Sequence, residues 1–440
     1  MNVRTLTICL ALACSHCGLR AQSGGGEKIA ALIERNDWFA LEQELPSLRE
    51  TASPVLRRLA STLTDIFFNR DESALAGIDT LLGRHRQEIG LSTTASLVYF
   101  RSEILGRRGE YGRGADLLAG FFDEMRPYVS EKDFPAHAQL RRRLDLLRDV
   151  PPPRLVRPGS DTEIPLRIEP ILHRGELKGH LPYVAVGIGG KRHSFILDTG
   201  CAAGAFVSER FAREAGIRIV GDSILASGIG DRYAKIGTAD SLTVGDIVYR
   251  HPVFIVMPSE ATADTILRVD AILGLDFLRA AGTVRLYPKA RKIVFPAERT
   301  AAPRKRSNLM IKSGQPYLEA LSDEGDERLL FHFDTGNASA DLHVHYYDTH
   351  RAQVEAAGRK NAVSHGGYGG TIEDMTVYTL PAFRFRVGKT LCTMENIDVN
   401  TQPVLAMQLP NADGALGMDF IRLFDEVTVD FERMSVRVRK

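Results

Sequence analysis

The residues with chemistry to offer are two aspartates in matched settings. Asp198 ends the apolar run Phe195-Ile196-Leu197 and opens Asp198-Thr199-Gly200. Asp334 ends Leu329-Leu330-Phe331-His332-Phe333 and opens Asp334-Thr335-Gly336. A carboxyl group serves as general acid or general base according to its protonation. One such tripeptide is an ordinary turn, since Asp and Gly are turn formers. Here each copy has a matching partner downstream. After the first comes Ala271-Ile272-Leu273-Gly274-Leu275-Asp276-Phe277, and after the second Gly414-Ala415-Leu416-Gly417-Met418-Asp419-Phe420. From the shared glycines, Gly274 and Gly417, the two segments align without a gap to Phe295 and Val438. Upstream, Pro182-Tyr183 and Pro316-Tyr317 precede the two aspartates at similar distances. The chain carries an internal duplication of roughly 130 to 140 residues, and such a repeat governs the whole architecture.

Two D-T-G loops, each followed by an apolar-apolar-Gly segment, resemble the aspartic proteases of the pepsin and retropepsin type. The resemblance rests on four motifs in the right order and spans about residues 164–440. It implies a water held between Asp198 and Asp334, one carboxylate acting as base on the water while the other, protonated, donates to the scissile carbonyl. Two carboxyl groups so close cannot both ionise, so they share a proton and titrate as a pair. It implies tight turns at Gly200 and Gly336, where backbone approaches carboxylate, and bracing of the dyad by Thr199 and Thr335. It implies no metal, no cofactor and no covalent intermediate. The chain has no nucleophile motif such as G-x-S-x-G. The family also closes its cleft with a β-hairpin. The candidates are the Gly-rich turns at Gly228-Ile229-Gly230 and Tyr368-Gly369, with an ordinary exposed turn as the alternative. The family's usual Ser, Thr or Ala after D-T-G is replaced by Cys201 and Asn337. Both departures change the hydrogen bonding expected around the dyad.

The elements that must position these residues follow from the rest of the chain. Its 440 residues, 44% hydrophobic and 25% charged, provide for two or three domains. A net charge of +1 offers nothing to a nucleic acid or an anionic membrane. Residues 1–21 read as a secretory signal: Arg4, an apolar core from Leu6 to Ala13, and Leu19-Arg20-Ala21 before Gln22. The expected destination is periplasmic or secreted. A lipid anchor at Cys14 is the weaker alternative, and no segment is long and apolar enough for a membrane span. Of five cysteines, only Cys201 and Cys392 lie beyond the signal. They are either bridged or separately buried.

Residues 22–150 carry helical periodicity. Leu75, Ile78 and Leu82 form one stripe, and Tyr111, Ala115, Leu118, Phe122 and Met125 another. Turn signals recur at Asn36-Asp37, Asn69-Arg70-Asp71 and Gly109-Glu110. That period, with Leu105-Gly106…Gly109…Tyr111…Ala115, resembles tetratricopeptide helical hairpins, which bind peptides or partner proteins. A helical packing module or inhibitory prosegment is the alternative. Arg141-Arg142-Arg143 reads as a solvated face. The proline run places a linker at 151–160. Beyond it the hydrophobic period shortens to two. Asp341, His343 and His345 alternate as if on a strand, without the spacing of a metal site. His332, two before Asp334, shares its face of the strand.

The expected architecture is an all-α helical-hairpin domain followed by an all-β bilobal domain, with lobes at 161–300 and 301–440 paired within one chain. The expected function is exported, metal-free endopeptidase action on a peptide or protein substrate. The alternative is a catalytically inactive, protease-like peptide-binding module whose helical domain holds a protein partner.

Overall fold

The computed structural model describes residues 24–48, 51–128, 130–173, 175–258, 269–298, 306–367, 370–404 and 409–440. The expected signal lies outside them. The chain forms two compact units, residues 1–152 and 153–440.

The first unit is helical: Gly24–Glu34, Trp38–Leu48, Pro54–Phe67, Asp71–Arg84, Arg86–Arg107, Tyr111–Met125 and Pro135–Leu146. Consecutive helices pack against one another. Three of the breaks share one device. Asn36, Asn69 and Gly109 take φ of 57°, 57° and 77°. The following amides, of Asp37, Arg70 and Glu110, donate back to the carbonyls of Leu32, Asp65 and Leu105 at 2.8–2.9 Å. Such a left-handed C-terminal cap suits Gly and Asn and satisfies otherwise orphaned carbonyls. The sequence signals at 36, 69 and 109 mark these caps. The helix Asp71–Arg84 buries Ala74, Gly77, Ile78 and Leu81. Its core face is therefore turned by about one residue from the Leu75, Ile78 and Leu82 stripe. The cause is Gly77, where a Cβ would overlap Thr62 of the preceding helix, so that helix sits directly over the glycine.

The second unit is β-rich with short helices. Among the described residues, eleven strands form one sheet from the first half of the duplication and the strand Arg154–Val156 ahead of it, and eight form another from the second half. A five-stranded sheet is built from both: Thr162–Pro165, Lys292–Phe295 and Thr283–Tyr287 from the first half, Glu426–Asp430 and Ser435–Arg439 from the second. The seam is antiparallel, Thr283 opposite Asp430 through Leu286 opposite Val427. The repeated Gly-x-Asp-Phe motifs place Phe277 and Phe420 in the cores, each fully buried. Phe277 meets Phe295 edge to face, while Phe420 stacks on Phe385 and meets Phe424 edge to face.

Two expectations are corrected. The stretch 151–160 is not linker throughout, because Arg154–Val156 pairs antiparallel with Ile247–Arg250. Only Asp341-Leu342 is strand in the second-half segment. His343 precedes and His345 lies within the helix Val344–Thr349, so the three do not share a strand face.

His137 gives the helical unit a pH response. Its ring is buried among Tyr99, Phe121 and Phe134, and Nε2 donates to the Ala95 carbonyl at 2.8 Å. Burial holds its pKa below the usual imidazole value. The unfolded chain therefore takes up the proton first as pH falls, and stability present above about pH 6.5 is lost below it, by at most about 1.4 kcal/mol per pH unit. Trp38, the chain's one tryptophan, is buried in this unit and reports its unfolding. Urea unfolding followed by its fluorescence should weaken from pH 7 to pH 5 in the wild type. His137→Leu should flatten that trend, and an unchanged slope in the variant refutes the assignment.

Candidate active site

Each D-T-G loop is hung from a parallel strand pair. Lys191–Leu197 runs beside Ala271–Leu273, and the Asp198 amide continues the ladder to the Leu273 carbonyl at 3.0 Å. Arg328–Phe333 runs beside Gly414–Leu416, and the Asp334 amide reaches the Leu416 carbonyl at 3.1 Å. The loops are then tied to the next helices, by Leu275 N–H to Cys201 O and Met418 N–H to Asn337 O. In the second half the Asp419 carboxylate adds a clamp, accepting from the Ala340 amide at 2.8 Å. The aspartate repeated in the downstream motif is thus a brace there.

The two loops interlock through their threonines. Thr199 N–H donates to Thr335 Oγ1 and Thr335 N–H to Thr199 Oγ1, both at 3.0 Å. Each hydroxyl donates across the junction, Thr199 Oγ1 to Phe333 O and Thr335 Oγ1 to Leu197 O, both at 2.7 Å. Both threonines are buried. The glycines allow the carboxyl groups to cross. A Cβ on Gly200 would stand 2.6 Å from Asp334 Cγ, and one on Gly336 would overlap the Asp198 carboxyl.

Each carboxylate also has a donor of its own loop. Asp198 Oδ1 accepts from the Cys201 amide at 3.0 Å, and Asp334 Oδ1 from the Gly336 amide at 2.8 Å. Burial, the Asp334 charge and a hydrogen bond to Asp334 push the Asp198 pKa well above the carboxylate range. The pair can therefore hold one proton while one oxygen set stays basic, which is what activation of a water between them requires.

The departure at Cys201 is absorbed by backbone, because its amide rather than its side chain serves Asp198. The Cys201 and Cys392 thiols are free and buried, with no bridge between them. Ser227 and Asp231 close the hairpin whose tip is Gly228-Ile229-Gly230. Tyr368 and Gly369 lie outside the described residues, but Gly367 and Gly370 pair beside them at the tip of the other hairpin. The two tips meet: a Cβ on Gly367 would be 3.2 Å from Ile229 Cδ1. Among the described residues no group of His, Cys, Asp and Glu is arranged to hold a metal. His343 faces Asp341 at 3.6 Å and His345 faces Asp413 at 3.8 Å, as separate pairs.

Sequence reasoning passes over Gln315. Its Nε2 donates to the Gly200 carbonyl at 2.8 Å, a bond from the second half onto the first-half loop. The signal was present in the duplication, where Gln315 before Pro316-Tyr317 replaces Leu181 before Pro182-Tyr183.

The threonine lock is testable by an isosteric change. Thr335→Val leaves the Thr199 amide and the Leu197 carbonyl without these partners in a buried setting. At about 1–3 kcal/mol for each such group, urea unfolding of the β-rich unit should lose about 2–4 kcal/mol. A loss under about 0.5 kcal/mol, the scale of a neutral surface change, contradicts a structural role.

Residues 184–280 match the family model of a gag-polyprotein putative aspartyl protease. No curated protein matches the chain. Among solved structures, conglutin gamma, a basic 7S globulin from lupine seeds, is 11% identical, with 63% of this chain and 94% of that one covered at a TM-score of 0.40. The basic 7S globulin from soybean is 10% identical, with the same coverage and TM-score. Likeness of that degree says nothing further of this chain. The segment from the strand Glu176–Ile188 to the helix after Gly274 is thus similar in sequence to retropepsin-like aspartyl proteases.

Proposed function

We propose that the chain is an aspartic endopeptidase, with Asp198 and Asp334 activating one water for attack on a peptide bond. The observation that carries this reading is the crossed pair of carboxyl groups over Gly200 and Gly336, locked by reciprocal threonine bonds. One carboxylate takes a proton from the water as its oxygen bonds to the carbonyl carbon. The other carboxyl gives its proton to the carbonyl oxygen, forming a tetrahedral diol. The first then protonates the amine nitrogen as the C–N bond breaks, and a diol hydroxyl returns a proton to the second. The chain ends as it began, without a covalent intermediate. The contact between Ile229 and Gly367 supports two hairpins closing together over the cleft.

In the same reading residues 161–300 and 301–440 are two pepsin-like lobes about the dyad. The protein is exported, and its helical unit is a tetratricopeptide-like array for a protein partner. The recurrent caps at Asn36, Asn69 and Gly109 support the array.

Cleavage of a mixed peptide library between pH 3 and 8 tests the proposal. The wild type should cleave, and Asp198→Asn and Asp334→Asn should each lose at least about 10²–10⁴-fold, the share of general acid–base catalysis. Activity should fall as pH rises through the elevated Asp198 pKa, since the doubly ionised pair has no proton to donate. A wild type that binds peptides at every pH but cuts none makes this an inactive binding module instead.

A further inference from the structure

The duplication is symmetric at the threonines and broken one layer beneath. Tyr317 pairs with His332 across the second-half strands as Tyr183 pairs with Ile196 across the first. Two residues before those tyrosines stand Gln315 and Leu181. Leu181 and Ile196 pack with Ile171 in an apolar cluster. At the matching positions the second half instead places a polar pair, buried His332 with its Nε2 2.6 Å from Oε1 of half-buried Gln315. His332 is 6% exposed and Gln315 half-buried, so the pair is largely withdrawn from solvent.

The network fixes its own protons. The Gly200 carbonyl only accepts, so Gln315 must turn its NH₂ toward it and its oxygen toward His332. That oxygen only accepts, so His332 Nε2 carries the hydrogen. A neutral imidazole has one N–H, which leaves Nδ1 bare. Nδ1 faces Asp334 Oδ2 at 4.0 Å. Asp198 has Ile196 at the equivalent position, with no nitrogen to offer.

We propose that His332 and Gln315 are positioning residues that make the aspartates unequal, with Asp334 as the base toward water and Asp198 as the acid. This rests on the protease reading above. When Asp334 takes the water proton, the new carboxylic acid can donate to the bare Nδ1 once the 4.0 Å gap closes by about 1 Å to hydrogen-bond distance. Water loses an O–H bond, its oxygen bonds to the carbonyl carbon, and the Asp198 proton moves to the carbonyl oxygen. Gln315 meanwhile holds the Gly200 carbonyl, and with it the loop carrying Asp198. One tendency agrees with the hydrogen-bond assignment: burial keeps the His332 pKa below its usual value, which favours the neutral ring. The charged or titratable groups around His332 are Asp334, Asp341 and His343, with the Tyr317 ring 5.6 Å away.

Two measurements test it on the full chain. Nitrogen-15 NMR of histidine-labelled protein, with the His332 signals assigned by their loss in His332→Ile, should show Nε2 protonated and Nδ1 bare at pH 7. The reverse tautomer overturns the proposal, and this readout needs no activity. The double variant His332→Ile with Gln315→Leu copies the apolar pair that the first half already packs. Against a cleaved peptide, its kcat should fall about 10- to 100-fold, the range seen when a hydrogen-bonded partner behind a reactive group is removed. KM should change by less than about threefold, well inside one decade of affinity, and the pH profile should shift. Unchanged kcat and pH profile also overturn the proposal. If the wild type cuts nothing, the protease reading fails, and with it the roles of acid and base.

Discussion

Two like-charged groups do not stay together in a buried site unless something holds them there. At about 4 Å, two carboxylates would repel by about 4 kcal/mol at an effective dielectric of about 20. The reciprocal bonds between Thr199 and Thr335 supply the restraint, because each loop's amide is satisfied only by the other loop's hydroxyl. Neither loop satisfies these groups alone. The parallel strand pairs that suspend the loops, and the five-stranded sheet shared by both halves, place the two threonines within reach. The remaining repulsion is relieved by protonation, which is why the constraint on structure becomes a source of acid–base chemistry.

The duplicated frame also shows where the two halves diverge. The threonine lock, the Phe277 and Phe420 anchors and the Asp-to-Leu backbone bonds are common to both. Replacing an aliphatic pair by His332 and Gln315 leaves those features in place while adding a polar chain that ends on the opposite loop. A largely buried polar pair is tolerated when its donors find acceptors, and the two bonds made here fit a single orientation of the amide. Divergence at such a point changes the chemistry of the dyad while the backbone frame stays common to both halves.

Much of this was readable because it is local or repeated. Asn36, Asn69 and Gly109 announce helix ends, since few other residues accept a left-handed cap. The D-T-G loops and their downstream glycines are a pattern in spacing. Features set by distant partners were not readable. Arg154–Val156 looks like linker because its strand exists only through Ile247–Arg250. The face of Asp71–Arg84 is decided by Thr62 over Gly77. His343 and His345 suggested alternation, but pairing stops after Leu342 and the helical period takes over. Gln315 is a single polar residue in a strand, and its meaning lies in a carbonyl contributed by the other half.

The central claim is that Asp198 and Asp334 form one coupled pair sharing a proton. Carbon-13 NMR of aspartate-labelled protein from pH 3 to 9 measures it most directly, with the Asp198 carboxyl assigned by its loss in Asp198→Asn. The account predicts that this carboxyl stays protonated well above the ordinary value of about 3.9. It also predicts that Asp334→Asn, by removing the neighbouring charge, brings its titration down. An Asp198 that ionises near the ordinary value, indifferent to Asp334→Asn, would show two independent carboxylates and contradict the account.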